Sequence, residues 1–87
     1  MKLVWSEHAW SDYLWWQSQD RKMLRRINAL ITDITRNGTE GIGKPEPLRH
    51  EFQGYWSRRI NDEHRLVYRV TAEGDILIAQ CRHHYGR

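Results

Sequence analysis

A two-layer α+β domain, with two N-terminal helices packed on an antiparallel sheet, is predicted by three features of this chain. Apolar side chains in its first part recur at three- and four-residue spacing, those in its last part alternate with polar ones, and a segment rich in glycine and proline lies between. With 87 residues it is read as one domain, 1–87, near the lower size at which a single core holds a fold without disulfides or metal.

Lys2 to Trp5 reads as a short strand, and Ser6 as the cap of a first helix that runs to about Gln17, with Glu7 near its positive end. Ala9, Trp10, Tyr13, Leu14 and Trp16 form its apolar stripe and Trp15 widens it, so the tryptophans are expected in the core or at an interface. Asp20 caps a second helix in which Met23, Leu24, Ile27, Leu30, Ile31 and Ile34 oppose Arg21, Lys22, Arg25, Arg26 and Asp33, and which Gly38 ends. From Gly38 to Pro47 the breakers are too frequent for a helix or a central strand, and a shaped loop is expected. Tyr55–Ile60, Arg65–Thr71 and Ile76–His84 then read as an antiparallel meander with helices on one face. In the middle strand Leu66, Tyr68 and Val70 share one side and Arg65, Val67 and Arg69 the other; Gln80, Arg82 and His84 share a parity in the last, giving a basic outer surface.

Fourteen Lys+Arg against eleven Asp+Glu give a formal charge of +3. From Arg49 onward every Lys or Arg is an arginine, the forked cation that suits phosphate. The single cysteine, Cys81, sits in an apolar run and is expected as a buried thiol in a reducing compartment. Met1–Glu7 meets an acid after a few apolar residues and is read as neither a signal-peptide core nor a membrane span, so a soluble, cytoplasmic protein without a membrane partner is expected.

Cutting RNA without a metal needs a base for the 2′-hydroxyl, an acid for the leaving 5′-oxygen and cations on the transition state. Glu46, between two prolines that restrict its backbone, suits the base. His84, near the chain end, suits the acid, and Arg65, at a strand start on the charged side, suits a two-pronged phosphate clamp. Tyr85, and Tyr55 and Trp56 beside Arg58 and Arg59, offer stacking platforms. Each also reads as an ordinary surface residue when taken singly. Cys81, His83 and His84 alternate along one strand-like run without a second ligand pair, so neither a metal site nor a cofactor is expected.

The segments Lys44-Pro45-Glu46-Pro47-Leu48, Trp56-Ser57-Arg58-Arg59-Ile60 and Glu63-His64-Arg65-Leu66-Val67-Tyr68, in that order, resemble the YoeB family of toxins within the RelE superfamily. Asp12-Tyr13-Leu14, Arg25-Arg26-Ile27-Asn28 and the ending Cys81-Arg82 with His84-Tyr85 extend the resemblance over nearly the whole chain. It implies the RelE-like fold and a ribosome-dependent messenger RNA endoribonuclease that acts in the ribosomal A site and inhibits translation. Glu46 is then the base, His84 the acid, Arg65 the clamp and Tyr85 the orienting residue, with Arg49, His50, Arg58 and Arg59 on the RNA. Arg49 stands where the family usually has lysine, and Gly86-Arg87 follow the tyrosine at which the family commonly ends. The implied partners are messenger RNA, the ribosome, a YefM-like antitoxin, operator DNA through the antitoxin complex, and a second copy as a homodimer. The alternative is a non-catalytic module that binds RNA or the ribosome, or regulates transcription, through its arginines.

Overall fold

Leu3–Trp5 forms strand β1, and the chain passes directly into helix α1, Glu7–Gln19. Ser6 makes the transition: its hydroxyl accepts the free amide hydrogen of Ala9 at 3.0 Å, and Glu7 places a negative charge in the first turn. Asp20 alone separates α1 from α2, Arg21–Asn37. Its extended backbone ends the first helix, and its carboxylate caps the second by accepting from the amides of Lys22 and Met23. That is why α1 runs past Gln17. Gly38, at φ +64°, closes α2 by donating its amide hydrogen to Ile34.

The computed structural model describes residues 1–84; Tyr85, read above as the orienting residue, and Gly86 and Arg87 lie outside the described residues. Beyond α2 come β2 (Glu46–Pro47), a single 3-10 turn at His50–Phe52, β3 (Trp56–Arg59), β4 (Arg65–Val70) and β5 (Ile76–Gln80). They form one five-stranded sheet in the order β1-β5-β4-β3-β2. β2 through β5 pair antiparallel, but β1 runs parallel to β5, so the sheet is mixed rather than antiparallel throughout. The two helices between β1 and the later strands supply the crossover that parallel pairing requires.

One apolar core lies between helices and sheet. α2 contributes Ile27, Leu30, Ile31 and Ile34, α1 contributes Ala9 and Trp16, and the sheet side contributes Ile60, Leu66, Tyr68, Ile76 and Ile78, with Cys81 among them. Burying each large aliphatic side chain contributes about 1.5–3 kcal/mol against the entropy of ordering the chain. Of the tryptophans only Trp16 belongs to this core; Trp5 is partly buried, while Trp10 is 47% exposed and Trp15 also reaches solvent. Trp10 instead stacks on Tyr13, and both rings meet Trp5.

Two features alter the expected alternation. Val67 is fully buried on the face away from the helices, where Leu48 is buried too, so that face is not simply a charged surface. In β5, Val67 pairs with Gln80 but Tyr68 with Ile78, leaving Ala79 as an extra residue. Such a bulge moves Gln80 to the opposite face from Ile78. The strand ends there, and the expected continuation of alternation through Arg82 to His84 gives way to an irregular segment in which His83 has φ +63°.

The 38–45 loop is shaped by close packing. Gly43, at φ +82°, has no room for a side chain: a Cβ there would lie 2.7 Å from Cδ2 of Leu30 and 3.2 Å from Cβ of Arg58. Its carbonyl accepts from the amide of Arg59 at 2.7 Å, which fixes the loop three residues before Glu46. Gly43→Ala is expected to cost roughly 2–4 kcal/mol, measured as a lowered urea midpoint. Gly38→Ala, with open space around its α-carbon, is expected to bear only the strain of its positive φ and so to cost less.

Candidate active site

The sheet face away from the helices gathers several of the expected residues. Glu46 on β2 lies opposite Ser57 on β3, which lies opposite Val67 on β4; two residues further along, Arg59 lies opposite Arg65. Directly paired residues and residues two apart share a face, so Glu46, Arg59 and Arg65 all belong to one side. On ordinary sheet spacings the α-carbons of Glu46 and Arg65 are about 12 Å apart, a gap that a glutamate and an arginine can close around one phosphate. Glu46 also lines a hollow of about 340 Å³ with Arg49, His50 and Phe52, bringing three of the expected RNA-facing residues together.

Backbone strain collects around this region. Lys44, His50 and His83 are the non-glycine residues with positive φ among those described, at +52°, +59° and +63°. One lies two residues before Glu46, one lines the hollow, and one precedes His84. Such conformations cost of order 1–3 kcal/mol each and persist where surrounding contacts impose them.

Arg65 is pinned at one end. Its Nη1 donates to the carbonyls of Asn61, Asp62 and His64, at 2.7, 3.2 and 3.1 Å, which holds the guanidinium against the β3–β4 turn. Among the described residues neither Arg65 nor Arg59 pairs with a carboxylate, so their charge is not neutralised within the described chain.

The segment after β5 is held from several directions. Asp12 on α1 accepts the Cys81 amide hydrogen at 3.0 Å, and the indole of Trp16 donates to the Cys81 carbonyl at 2.8 Å. Burial pushes the Cys81 thiol well up from its ordinary range, so it stays protonated and points at the Ala9 carbonyl, an inert packing group. The Arg82 guanidinium lies 3.7 Å over the Trp15 ring. Finally, the Arg65 amide donates to the His83 carbonyl at 3.0 Å, and the His83 amide donates to Nδ1 of His64 at 2.7 Å. His84, half-buried, follows this anchored stretch directly.

Burial holds His64 below its usual pKa; Glu63 opposes the shift, and His83, Arg82 and Arg65 reinforce it. The unfolded chain therefore takes up the proton first as pH falls. His64 contributes its full stability above about pH 6.5 and loses it as pH drops from there through the lower folded-state value. His64→Asn is expected to flatten the decline in thermal midpoint between pH 7.5 and 5.5, and a slope equal to that of the parent would contradict this.

Several sequence expectations are corrected. Arg58 was expected on the phosphate surface, but it is 0% exposed. It lies opposite Leu66 on the helix side, where it donates to Asp33, to the carbonyls of Gly38, Glu40 and Ile42, and to the Tyr68 hydroxyl. A guanidinium so engaged has nothing left for phosphate. Asp33, expected on the solvent face of α2, is its ionic partner. Trp56 packs against the core instead of offering a free stacking surface, and Tyr55 lines an apolar hollow with Val4, Leu77 and Ala79.

This constellation, with Glu46 and two unneutralised arginines on one sheet face and a histidine on an anchored tail, can be set against known proteins. A family model for YoeB-like toxins of bacterial type II toxin-antitoxin systems matches residues 5–85. The chain belongs to this family. A YoeB toxin of Escherichia coli (strain K12) is 58% identical over 85 residues, 98% of this chain and all of that protein. The structure of a YoeB/ParE toxin from Agrobacterium tumefaciens superposes with a TM-score of 0.94 at 50% identity, covering 98% of this chain and 100% of that one. From Staphylococcus aureus, YoeB in a YoeB-YefM complex and in a YoeB dimer each superpose with a TM-score of 0.89, at 49% and 50% identity, covering 98% of both chains. The YoeB-like chain is thus the toxin component of a type II toxin-antitoxin system.

Asp12, Trp15, Trp16 and His64 were not anticipated as residues that hold the site together. The signal available in the sequence was a carboxylate on an otherwise aromatic helix, since a buried Asp12 needs a partner. Nothing local pointed to its partner, the amide of Cys81.

Proposed function

We propose that this toxin is an endoribonuclease that cuts messenger RNA in the ribosomal A site by metal-independent acid–base catalysis. Glu46 takes the proton from the 2′-hydroxyl, the freed oxygen attacks the adjacent phosphorus, and the bond to the 5′-oxygen breaks as His84 gives that oxygen a proton. The products are a 2′,3′-cyclic phosphate, which water can open, and a 5′-hydroxyl. Arg65, its Nη1 tied to the β3–β4 turn, presents Nε and Nη2 to the phosphate, where developing negative charge is worth most to stabilise. Arg59 adds charge beside it, Arg49 and His50 meet the RNA from the hollow, and Tyr85 orients the substrate. Arg58 has no part in this contact.

The observation that carries the reading is the shared face of Glu46, Arg59 and Arg65, the two cations unpaired with any carboxylate among the described residues, within a chain of the YoeB family. The S. aureus YoeB-YefM complex supports a YefM-like antitoxin as partner; in this reading the antitoxin covers the basic face in the cytoplasm and suppresses toxicity. The S. aureus YoeB dimer supports a second copy as a further partner, and operator DNA would be met through the antitoxin complex as a co-repressor. The test is a map of transcript 5′ ends after induction. Ends clustered at one position within translated codons are expected; ends indifferent to translation would remove the ribosome from the account.

A further inference from the structure

His64 is 8% exposed at the end of the β3–β4 turn, its ring set edge-on against Trp16 at 4.8 Å. Its own amide is capped by Asn61 Oδ1 at 2.7 Å, and its carbonyl accepts from Ile60, so its backbone is fixed before its side chain makes any contact. The side chain then does something specific: Nδ1 accepts the amide hydrogen of His83 at 2.7 Å. A backbone amide can only donate, so Nδ1 must be the unprotonated nitrogen and the ring hydrogen sits on Nε2, which lies 3.6 Å from Glu63 Oε1. The bond joins the residue next to Arg65 with the residue next to His84. It also falls, among the described residues of the tail, where φ is positive and the amide would otherwise have no strand partner.

We propose that His64 is a positioning residue, whose Nδ1 seats the His83 amide and thereby sets where His84 stands relative to Arg65. It rests on the reading of His84 as the acid. His64 touches no substrate; it acts through the backbone of the tail. The asymmetry of the imidazole makes this testable, because asparagine places its carbonyl oxygen near the position of Nδ1 and glutamine near that of Nε2.

His64→Asn and His64→Gln are compared in the full-length toxin by hydrogen exchange at the His83 amide and by single-turnover cleavage of ribosome-bound message. His64→Gln is expected to speed His83 exchange and slow cleavage about 10- to 100-fold with ribosome affinity unchanged, as for a catalytic group displaced by about an ångström; His64→Asn is expected to restore both. A His83 amide equally protected in both variants would overturn the seating. Freed exchange with unchanged cleavage, or equal loss of cleavage in both variants, would overturn the positioning role. Failure of the underlying reading shows separately, as undiminished cleavage by His84→Ala; the exchange result decides the seating in that case as well.

Discussion

Replacing Arg58 by methionine is expected to destabilise the fold by roughly 3–5 kcal/mol, the range for removing one partner of a buried ion pair. For a domain this small that is a fall of about 12–40 °C in Tm, enough to empty most of an ordinary stability margin. The reason is the number of groups Arg58 serves. Without it, the Asp33 carboxylate, three carbonyls from the 38–42 loop and the Tyr68 hydroxyl lose a donor at once. Tyr68 still donates to Gly38 at 2.9 Å, so the loop retains one tie. Arg58→Lys is expected to rescue little, because an ammonium on a single stem cannot span acceptors arranged around a guanidinium fork. Thermal unfolding followed by circular dichroism decides the matter, and a shift of only a few degrees would show that the network is not what holds the loop. The same pair predicts an acid limit. The hydrogen bond from Arg58 holds the Asp33 carboxyl below its ordinary 3.8, against a smaller opposing effect of desolvation. Its contribution is complete above that value and is lost as pH falls through the lowered one.

Glu46→Ala and His84→Ala are expected to leave that fold intact and to slow message cleavage by about 10²- to 10⁴-fold each, the usual contribution of a positioned base or acid. Glu46 is exposed on a two-residue strand, so its truncation removes no buried packing. Single-turnover cleavage on programmed ribosomes, with circular dichroism as the control, measures the effect. Inhibition that survives both changes would favour the alternative of a binding module that occupies the ribosome through its arginines. The contrast with Arg58 is diagnostic: its loss should reduce activity only in proportion to unfolded protein, whereas these two should reduce activity in fully folded protein.

The layer arrangement was legible because the local signals were strong. Ser6, Asp20 and Gly38 each stood where helix-capping chemistry requires such residues, and the isoleucines of α2 marked its inner face. The parallel pairing of β1 was not legible, since a three-residue strand gives no clue to the direction of its neighbour. Arg58 was misplaced for a reason the sequence did contain: Trp56, Arg58 and Ile60 share a parity, so adjacent Arg58 and Arg59 cannot face the same way. Its inward position depends on Asp33, 25 residues earlier, a pairing that no local pattern announces. The alternation expected from Gln80 through Arg82 to His84 failed because β5 ends at Gln80 and the backbone then turns through a positive φ at His83, which a count of alternating residues does not register. Arg65, by contrast, was placed on the outer side by the alternation of its strand, whereas Glu46 was expected in a loop and its pairing with Ser57 on that face was not legible.

The proposed catalysis divides the labour, one side chain removing a proton and another supplying one. It is tested most directly with a message in which sulfur replaces the bridging 5′-oxygen at the cleaved linkage. A thiolate leaves readily without protonation, since thiols ionise near pH 8.5, far below alcohols. The His84→Ala toxin is predicted to cut this message at close to the parent rate, while Glu46→Ala remains slow. A His84→Ala toxin as slow on the sulfur linkage as on the oxygen one would contradict the assignment of His84 as the acid.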